Sequence, residues 1–103
     1  MQKLRTFDLE AGGKKHYFFC PGCQSLHTFV TNREQSPCWS FDGNMEAPTF
    51  NPSLLVQGTI RCHLFLHNGK IEFCGDSEHD LKNKSVDMVD LPSWFKDLKK
   101  DPH

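Results

Sequence analysis

The chain carries a strong β-hairpin signal at Asn68-Gly69, which lies between two runs of alternating apolar residues. A two-residue type I′ turn needs positive φ at both central positions, and Asn-Gly meets this need well. With such a turn, residues 60–79 fold back on themselves and His67 faces Lys70. Further from the turn, His63 faces Cys74.

Side chains alternate between the two faces of a strand, so the hairpin register predicts which residues lie together. His63 and Cys74 are expected on one face. The other face collects apolar and thiol side chains: Cys62, Leu64, Leu66, Ile71 and Phe73. The open end of the hairpin gathers a reactive set: Cys62, His63, Asp76, Ser77 and His79. A hairpin with a purely structural role has no need of such a set.

Composition narrows the class of protein. A chain of 103 residues predicts one domain, 1–103, with a modest core. Its 12 basic and 13 acidic residues are balanced and form no basic stripe, so we expect no nucleic-acid partner. Its longest apolar runs are about five residues, against roughly 20 for a membrane span. The amino terminus lacks a secretory pattern, which predicts a cytoplasmic protein.

The pattern of strands and turns predicts a mostly β fold. Strands are expected at 4–9, 16–20, 26–30, 39–41, 53–57 and 86–91, besides the central hairpin. Two prolines make 46–53 an extended, rigid segment. A short C-terminal helix is expected after Pro92-Ser93. The prediction is therefore a small single-domain β-hairpin or zinc-ribbon-like sheet with one terminal helix.

Cys20-Pro-Gly-Cys23 is a candidate metal knuckle, because two thiolates on either side of a tight turn can bind one ion. Buried free cysteines or a redox pair are the alternatives. A redox pair favours a helix that begins at the second cysteine, whereas a strand-like sequence follows here. Five cysteines in a cytosolic chain also favour metal or catalysis over disulfides. We therefore expect structural Zn²⁺.

A closed zinc site needs four ligands, so two more must come from elsewhere in the chain. The candidates are Cys38, Cys62, Cys74, His27, His63 and His79. Adjacent strand residues point to opposite faces, so Cys62 and His63 cannot both bind one ion in a regular strand. Cys62 is assigned to the metal. His27 is preferred as the fourth ligand over His63, and Cys38 and Cys74 are expected to be free, partly buried thiols.

A second group of residues suggests nucleophilic catalysis, since it combines hydroxyl, imidazole and carboxylate groups. Its members are Ser53, Ser77, His63, His79, Asp76 and Asp80. Ser53 follows a proline in the rigid segment, and His63 lies one strand later. Asp76 lies at the far end of the same hairpin. In the competing interpretation, Ser53 merely begins a strand and residues 76–79 form a polar turn.

Five motifs in order carry a resemblance to a known family. They are CPGCQSLH (20–27), WSF (39–41), PTFNPS (48–53), RCHLFLHNGKIEF (61–73) and DSEH (76–79), followed by the expected strand at 86–91. The chain resembles the small BubE-like peptidase domain of bacteriophage genomes and bacterial ubiquitin-like conjugation operons. The resemblance spans roughly residues 18–91.

The resemblance implies a zinc-stapled β domain that processes a ubiquitin-like precursor or removes the modifier from conjugates, in a setting of phage defence. Its cysteine and histidine positions correspond to Cys20, Cys23, His27 and Cys62. Its polar positions correspond to Ser53, His63, Asp76, Ser77 and His79. Both Ser53 and Ser77 remain candidates for the nucleophile.

The favoured hypothesis is a serine-type peptidase. Ser53 attacks a carbonyl at the end of a ubiquitin-like protein, His63 is the general base, and Asp76 or His79 orients it. One alternative is a non-enzymatic zinc-ribbon module that binds a protein partner through Trp94-Phe95. The other is a zinc metalloprotease, which needs three protein ligands and a bound water.

Overall fold

The computed structural model describes residues 1–102 and contains two antiparallel sheets with one short helix. The elements are β1 (Arg5–Asp8), β2 (Lys14–Cys20), β3 (Ser25–Thr31), β4 (Ser40–Phe41), β5 (Phe50–Gln57), β6 (Arg61–His67), β7 (Lys70–Phe73), β8 (Ser85–Asp87) and α1 (Ser93–Lys96). One sheet has the order β1-β2-β3, and the other has the order β4-β5-β6-β7-β8. The predicted mostly β class with a short C-terminal helix is confirmed. Within the described residues, no helix has the length and apolar character needed to cross a membrane.

The central hairpin forms as predicted. Asn68 and Gly69 have φ values of 50° and 74°, and His67 pairs with Lys70. A Cβ on Gly69 would lie 3.1 Å from the Cα of Ala47, so a side chain there would be both strained and crowded. The predicted inward face is also confirmed, since all of its residues are buried: Cys62, Leu64, Leu66, Ile71 and Phe73.

Stacked aromatic rings join the two sheets. The Phe29 ring of β3 lies against the Phe50 ring of β5, with 4.2 Å between centroids and 6° between planes. Phe41 of β4 stacks on Phe50 from the same sheet, at 4.5 Å. Phe18 of β2 lies against Phe29 at 5.6 Å. The sheets therefore pack face to face around one aromatic and aliphatic core.

The C-terminal segment covers the outer face of the three-stranded sheet. Tyr17, Leu91 and Phe95 form a second buried cluster there. The Arg5 guanidinium donates hydrogen bonds to the carbonyl oxygens of Phe95 and Leu98 and so holds the segment in place. Phe95 is therefore a core residue rather than part of an exposed docking patch, which was the alternative for the Trp94-Phe95 pair.

Two predicted strand boundaries differ from the observed ones by about three or four residues, and the other strand boundaries differ by less. The strand expected at 86–91 ends at Asp87, because residues 90 and 91 bond to the amino terminus instead of the sheet. The N–H of Leu91 donates to the carbonyl of Gln2 at 2.8 Å, and Asp90 accepts from the Gln2 N–H at 2.8 Å. The strand expected at 53–57 begins earlier, at Phe50, so part of the predicted rigid segment belongs to β5.

His16 is a buried imidazole in the core between the sheets. Its Nδ1 and Nε2 atoms lie 2.8 Å from the hydroxyl oxygens of Thr6 and Thr31, respectively. Its ring centroid lies 5.2 Å from that of Phe50. Burial, helped by the nearby charge of Lys14, lowers the pKa of His16 from 6.5 to about 4. The folded protein therefore resists protonation of this side chain.

We expect acidification to destabilise the fold through His16. Its pKa is lower in the folded state, so the unfolded chain gains the proton first as the pH falls below 6.5. Between pH 7.5 and 5.5 this linkage removes about 1 kcal/mol from the free energy of unfolding. Urea unfolding at both pH values should show this loss in the wild type and a correspondingly smaller loss in His16→Gln. Equal losses in the two proteins would show that His16 does not contribute.

Candidate functional site

An irregularity in β5 presents Ser53 next to β6. Phe50 pairs with Leu66 and Leu54 pairs with Leu64, so the β5 segment between these pairs has two more residues than its partner on β6. Bulges of this kind turn side chains out of the regular alternation and occur often beside active sites. The indole Nε1–H of Trp39 donates to the Ser53 carbonyl at 3.1 Å and fixes the backbone there.

Three side chains form a continuous chain of hydrogen-bonding groups on the outer face of the five-stranded sheet. Ser53 Oγ lies 3.1 Å from His63 Nε2. On the other side of the ring, His63 Nδ1 lies 3.1 Å from Asp76 Oδ1 and 3.3 Å from Oδ2. These distances are short enough for hydrogen bonds, so a hydroxyl, an imidazole and a carboxylate are linked in series.

The carboxylate determines the tautomer of His63. An ionised carboxylate can only accept a hydrogen bond, so Nδ1 must carry the proton that points at Asp76. In the neutral ring Nε2 then has a free lone pair that accepts from the Ser53 hydroxyl. The imidazole is therefore prepared to remove the serine proton, and the developing positive charge lies beside a negative group.

The loop after β7 is held against β6 by Ser77. This side chain is only 3 % exposed. Its Oγ accepts from the His63 N–H at 3.0 Å and donates to the His63 carbonyl at 2.9 Å. One residue later, the Glu78 N–H donates to the Arg61 carbonyl at 2.8 Å. These bonds keep the neighbouring Asp76 beside the imidazole.

The hydroxyl–imidazole–carboxylate group is open to solvent and has apolar neighbours. Leu55 pairs directly with His63 across the strands and is 47 % exposed. Phe65 lies two residues after His63, with 6.3 Å between the two ring centroids, and is 37 % exposed. A substrate chain can therefore approach this face and contact apolar side chains next to Ser53.

The second cluster lies on the inner side of the same hairpin and joins both sheets. Cys20 ends β2, Cys23 follows in the turn, and His27 is on β3. Cys62, on β6, comes from the other sheet. One ligand atom from each of these four residues lies within 4.8 Å of the others. Cys20, Cys62 and His27 are buried, and Cys23 is half-buried.

The donor atoms of this cluster fit a tetrahedral metal ion. Two sulfurs bound to one ion at about 2.3 Å lie about 3.8 Å apart, and the Cys20 and Cys62 sulfurs are 3.9 Å apart. His27 Nδ1 lies 3.1 Å from the Leu26 carbonyl, to which it donates, so Nε2 keeps its lone pair. Among the described residues, His27 Nε2 is the buried side-chain nitrogen without a hydrogen-bond partner. A bound cation would satisfy it.

The pKa values of the three thiols also favour a bound cation. The hydrogen bond from Cys62 lowers the pKa of Cys20 to about 4. The same bond and burial then raise the pKa of Cys62, while burial and the charge on Cys20 raise the pKa of Cys23. One thiolate therefore suppresses ionisation of the other two. A bound metal ion would allow all three cysteines to ionise, because its positive charge offsets the repulsion between the thiolates.

His79 contacts this cluster rather than Ser53. Its Nε2 lies 3.3 Å from Cys62 Sγ, and its Nδ1 accepts from the Leu81 N–H at 3.2 Å. A Cβ at Gly22 would lie 2.3 Å from the His79 ring, so glycine is needed where the knuckle passes under the imidazole. The ring also meets Phe73 edge-on at 4.6 Å. His79 thus packs over the cysteine turn and hydrogen-bonds a candidate ligand.

The remaining candidates lie in different surroundings. Cys38 is exposed, so the expectation of a partly buried thiol was wrong for this residue, while Cys74 is half-buried beside His63. His63, the second choice for the fourth ligand, lies on the opposite face from Cys62. Sequence reasoning missed the indole of Trp39 as a support for Ser53. It also missed the two hydrogen bonds of Ser77 to the backbone of His63. Nothing in the motif 76–79 distinguishes this serine from one in an ordinary polar turn.

Comparison with known proteins identifies one family. Residues 2–74 match the family model described as bacterial ubiquitination-like system serine protease (BubE), which is more than half of the chain. The matched segment contains Ser53, His63 and all four residues of the buried cluster, and it ends just before Asp76. No curated protein and no solved structure matches the chain.

We expect the buried cluster to hold one metal ion that is needed for folding. Cys20→Ser should abolish metal binding and destabilise the protein by about 5 kcal/mol or more, because metal-binding energy is folding energy in small domains. Elemental analysis and thermal unfolding measure the two effects. Cys38→Ser changes an exposed thiol and should match the wild type. A Cys20→Ser protein with full metal content or unchanged stability would contradict the assignment.

Proposed function

Since the chain belongs to the family of bacterial ubiquitination-like system serine proteases (BubE), we propose that it cleaves the bond at the C-terminal end of a ubiquitin-like protein. The substrate is either a precursor or a conjugate of that protein. The observation that carries the proposal is the series Ser53–His63–Asp76, with 3.1 Å between hydroxyl and imidazole and 3.1 Å between imidazole and carboxylate. Ser53 is the nucleophile, His63 the general base and Asp76 the orienting carboxylate.

In the proposed reaction, Ser53 Oγ attacks the carbonyl carbon of the scissile amide while His63 Nε2 takes the hydroxyl proton. The imidazolium is stabilised by the Asp76 carboxylate. When the tetrahedral intermediate collapses, Nε2 gives that proton to the leaving amine, and an ester forms on Ser53. Water then attacks the ester with the help of the same Nε2, which releases the carboxylate product and restores the serine hydroxyl.

Ser77 has a positioning role in this proposal. Both hydrogen bonds of its hydroxyl go to the backbone of His63, at 3.0 and 2.9 Å, so the hydroxyl is already engaged inside the fold. It is also nearly inaccessible, at 3 % exposure, whereas Ser53 is half-buried at the surface. These observations favour Ser53 over Ser77 as the nucleophile.

The surroundings of Ser53 suit an extended peptide. The C-terminal tail of a ubiquitin-like protein must reach the nucleophile as a single strand, which requires an open approach. Leu55 and Phe65 are exposed on the same face and flank His63. Apolar residues of the tail next to the scissile bond would bury this surface and so contribute to binding.

Zinc is the metal proposed for the buried cluster, since three thiolates and one imidazole form a typical structural zinc site. Four protein ligands leave no position for a catalytic water, so this cluster does not fit the catalytic site of a zinc metalloprotease. The ion would hold Cys62 of the five-stranded sheet to the Cys20–Cys23 turn of the other sheet. Reduced thiols also suit the bacterial cytoplasm as the proposed compartment.

We expect Ser53→Ala to lose activity and Ser77→Ala to lose stability. Ser53→Ala should lower kcat/KM by about 10³-fold or more, because the nucleophile is lost, with little change in stability. Ser77→Ala should lower the free energy of unfolding by about 1–3 kcal/mol, because the His63 N–H loses its acceptor and the His63 carbonyl keeps only the Cys74 N–H as a donor. Cleavage of a fusion between a bacterial ubiquitin-like protein and a reporter measures the first effect. Urea unfolding measures the second.

The two serine variants also serve as mutual controls. Full activity in Ser53→Ala would overturn the proposed nucleophile. Loss of activity confined to Ser77→Ala, with unchanged stability, would move the nucleophile to the 76–79 turn. A folded, metal-loaded wild type that cleaves no such fusion would favour a non-enzymatic protein-binding module instead.

A further inference from the structure

Cys74 is a thiol next to the proposed catalytic site that the hydrolytic mechanism does not use. Its backbone N–H donates to the His63 carbonyl at 2.8 Å, so the two residues face each other across the hairpin. One donor atom each from Cys74, His63 and Asp76 lies within 4.8 Å of the other two. A thiol, an imidazole and a carboxylate therefore meet at one point on the surface.

These three groups have the donor chemistry of a zinc-type site. Thiolate, imidazole and carboxylate all bind Zn²⁺, and three protein ligands leave a fourth position for water. Cys74 and His63 are half-buried and Asp76 is exposed, so an ion can enter from solvent without unfolding. In these respects the group differs from the buried cluster, which has four protein ligands and little access to solvent.

We propose that this group is a second, reversible metal site that takes a thiophilic divalent cation such as Zn²⁺ and thereby switches off hydrolysis. The ion binds Cys74 Sγ, an Asp76 carboxylate oxygen and His63 Nδ1, the ring nitrogen that faces Asp76. Binding releases the Cys74 thiol proton to solvent. The binding stands on the geometry alone, whereas its inhibitory effect rests on the function proposed above.

The tautomer of His63 explains why binding and catalysis exclude each other. Catalysis needs a proton on Nδ1, directed at Asp76, and a free lone pair on Nε2, directed at the Ser53 hydroxyl. An ion on Nδ1 uses that lone pair and moves the ring proton to Nε2. His63 then has no lone pair to accept the proton of Ser53. The ion also removes Asp76 from its role as the partner of the imidazole.

The binding is tested by calorimetric titration of Zn²⁺ into protein whose buried cluster is already loaded. Ser53→Ala is the reference protein, since Ser53 supplies no ligand. It should bind one further equivalent. The Ser53→Ala/Cys74→Ala double variant should bind this equivalent at least tenfold more weakly. The Ser53→Ala/Cys38→Ala double variant should bind it as the reference protein does. No further equivalent in the reference protein, or equal affinity after Cys74→Ala, would overturn the proposal.

The inhibition is tested with the reporter-fusion assay under the same conditions. Zn²⁺ should inhibit the wild type and Cys38→Ala equally. Cys74→Ala should keep its basal activity and need at least tenfold more Zn²⁺ for the same inhibition. Equal sensitivity of Cys74→Ala would overturn the switch. If the fusion is not cleaved even without added Zn²⁺, the proposed function fails and the switch with it, while the titration still decides whether the metal site exists.

Discussion

Cys62 and His63 are neighbours on β6, and the alternation of side chains along that strand sends them to opposite faces of the sheet. Cys62 turns inward to the sulfur and imidazole cluster that joins the two sheets. His63 turns outward, where its ring lies between Ser53 and Asp76. The buried cluster therefore fixes the stretch of β6 that also carries His63, the proposed general base.

The domain is small, so a metal ion in the buried cluster would contribute a large share of its free energy of unfolding. A chain of 103 residues buries a limited core, and a structural metal is a common additional source of stability in small domains. The aromatic stack of Phe29 on Phe50 joins the sheets at one place, and the cysteine cluster joins them at another. The loop that carries Asp76 is held separately, through the hydrogen bonds of Ser77 to His63. The positions of the three proposed catalytic side chains thus depend on the packing of the sheets and on this loop.

Local signals predicted the elements that depend on local chemistry. Asn68-Gly69 identified the hairpin, because its turn geometry is restrictive, and alternation then assigned the faces of Cys62 and His63. The Cys20-Pro-Gly-Cys23 spacing indicated a knuckle, and the structure brings His27 and Cys62 to it. The irregularity of β5 around Ser53 and the indole of Trp39 beneath it were not foreseen, because both depend on register between strands. The early end of β8 has a similar cause, since pairing with the amino terminus is a long-range contact.

The proposed hydrolysis depends on one property above all, the activation of the Ser53 hydroxyl by His63. Its most direct test is the reaction of the folded, metal-loaded protein with a fluorophosphonate, followed by peptide mass spectrometry. We expect a single adduct on Ser53 that is absent from the His63→Ala protein, because an unactivated serine does not attack phosphorus at a useful rate. An adduct on Ser77, an adduct that persists in His63→Ala, or no adduct in the folded wild type would contradict it.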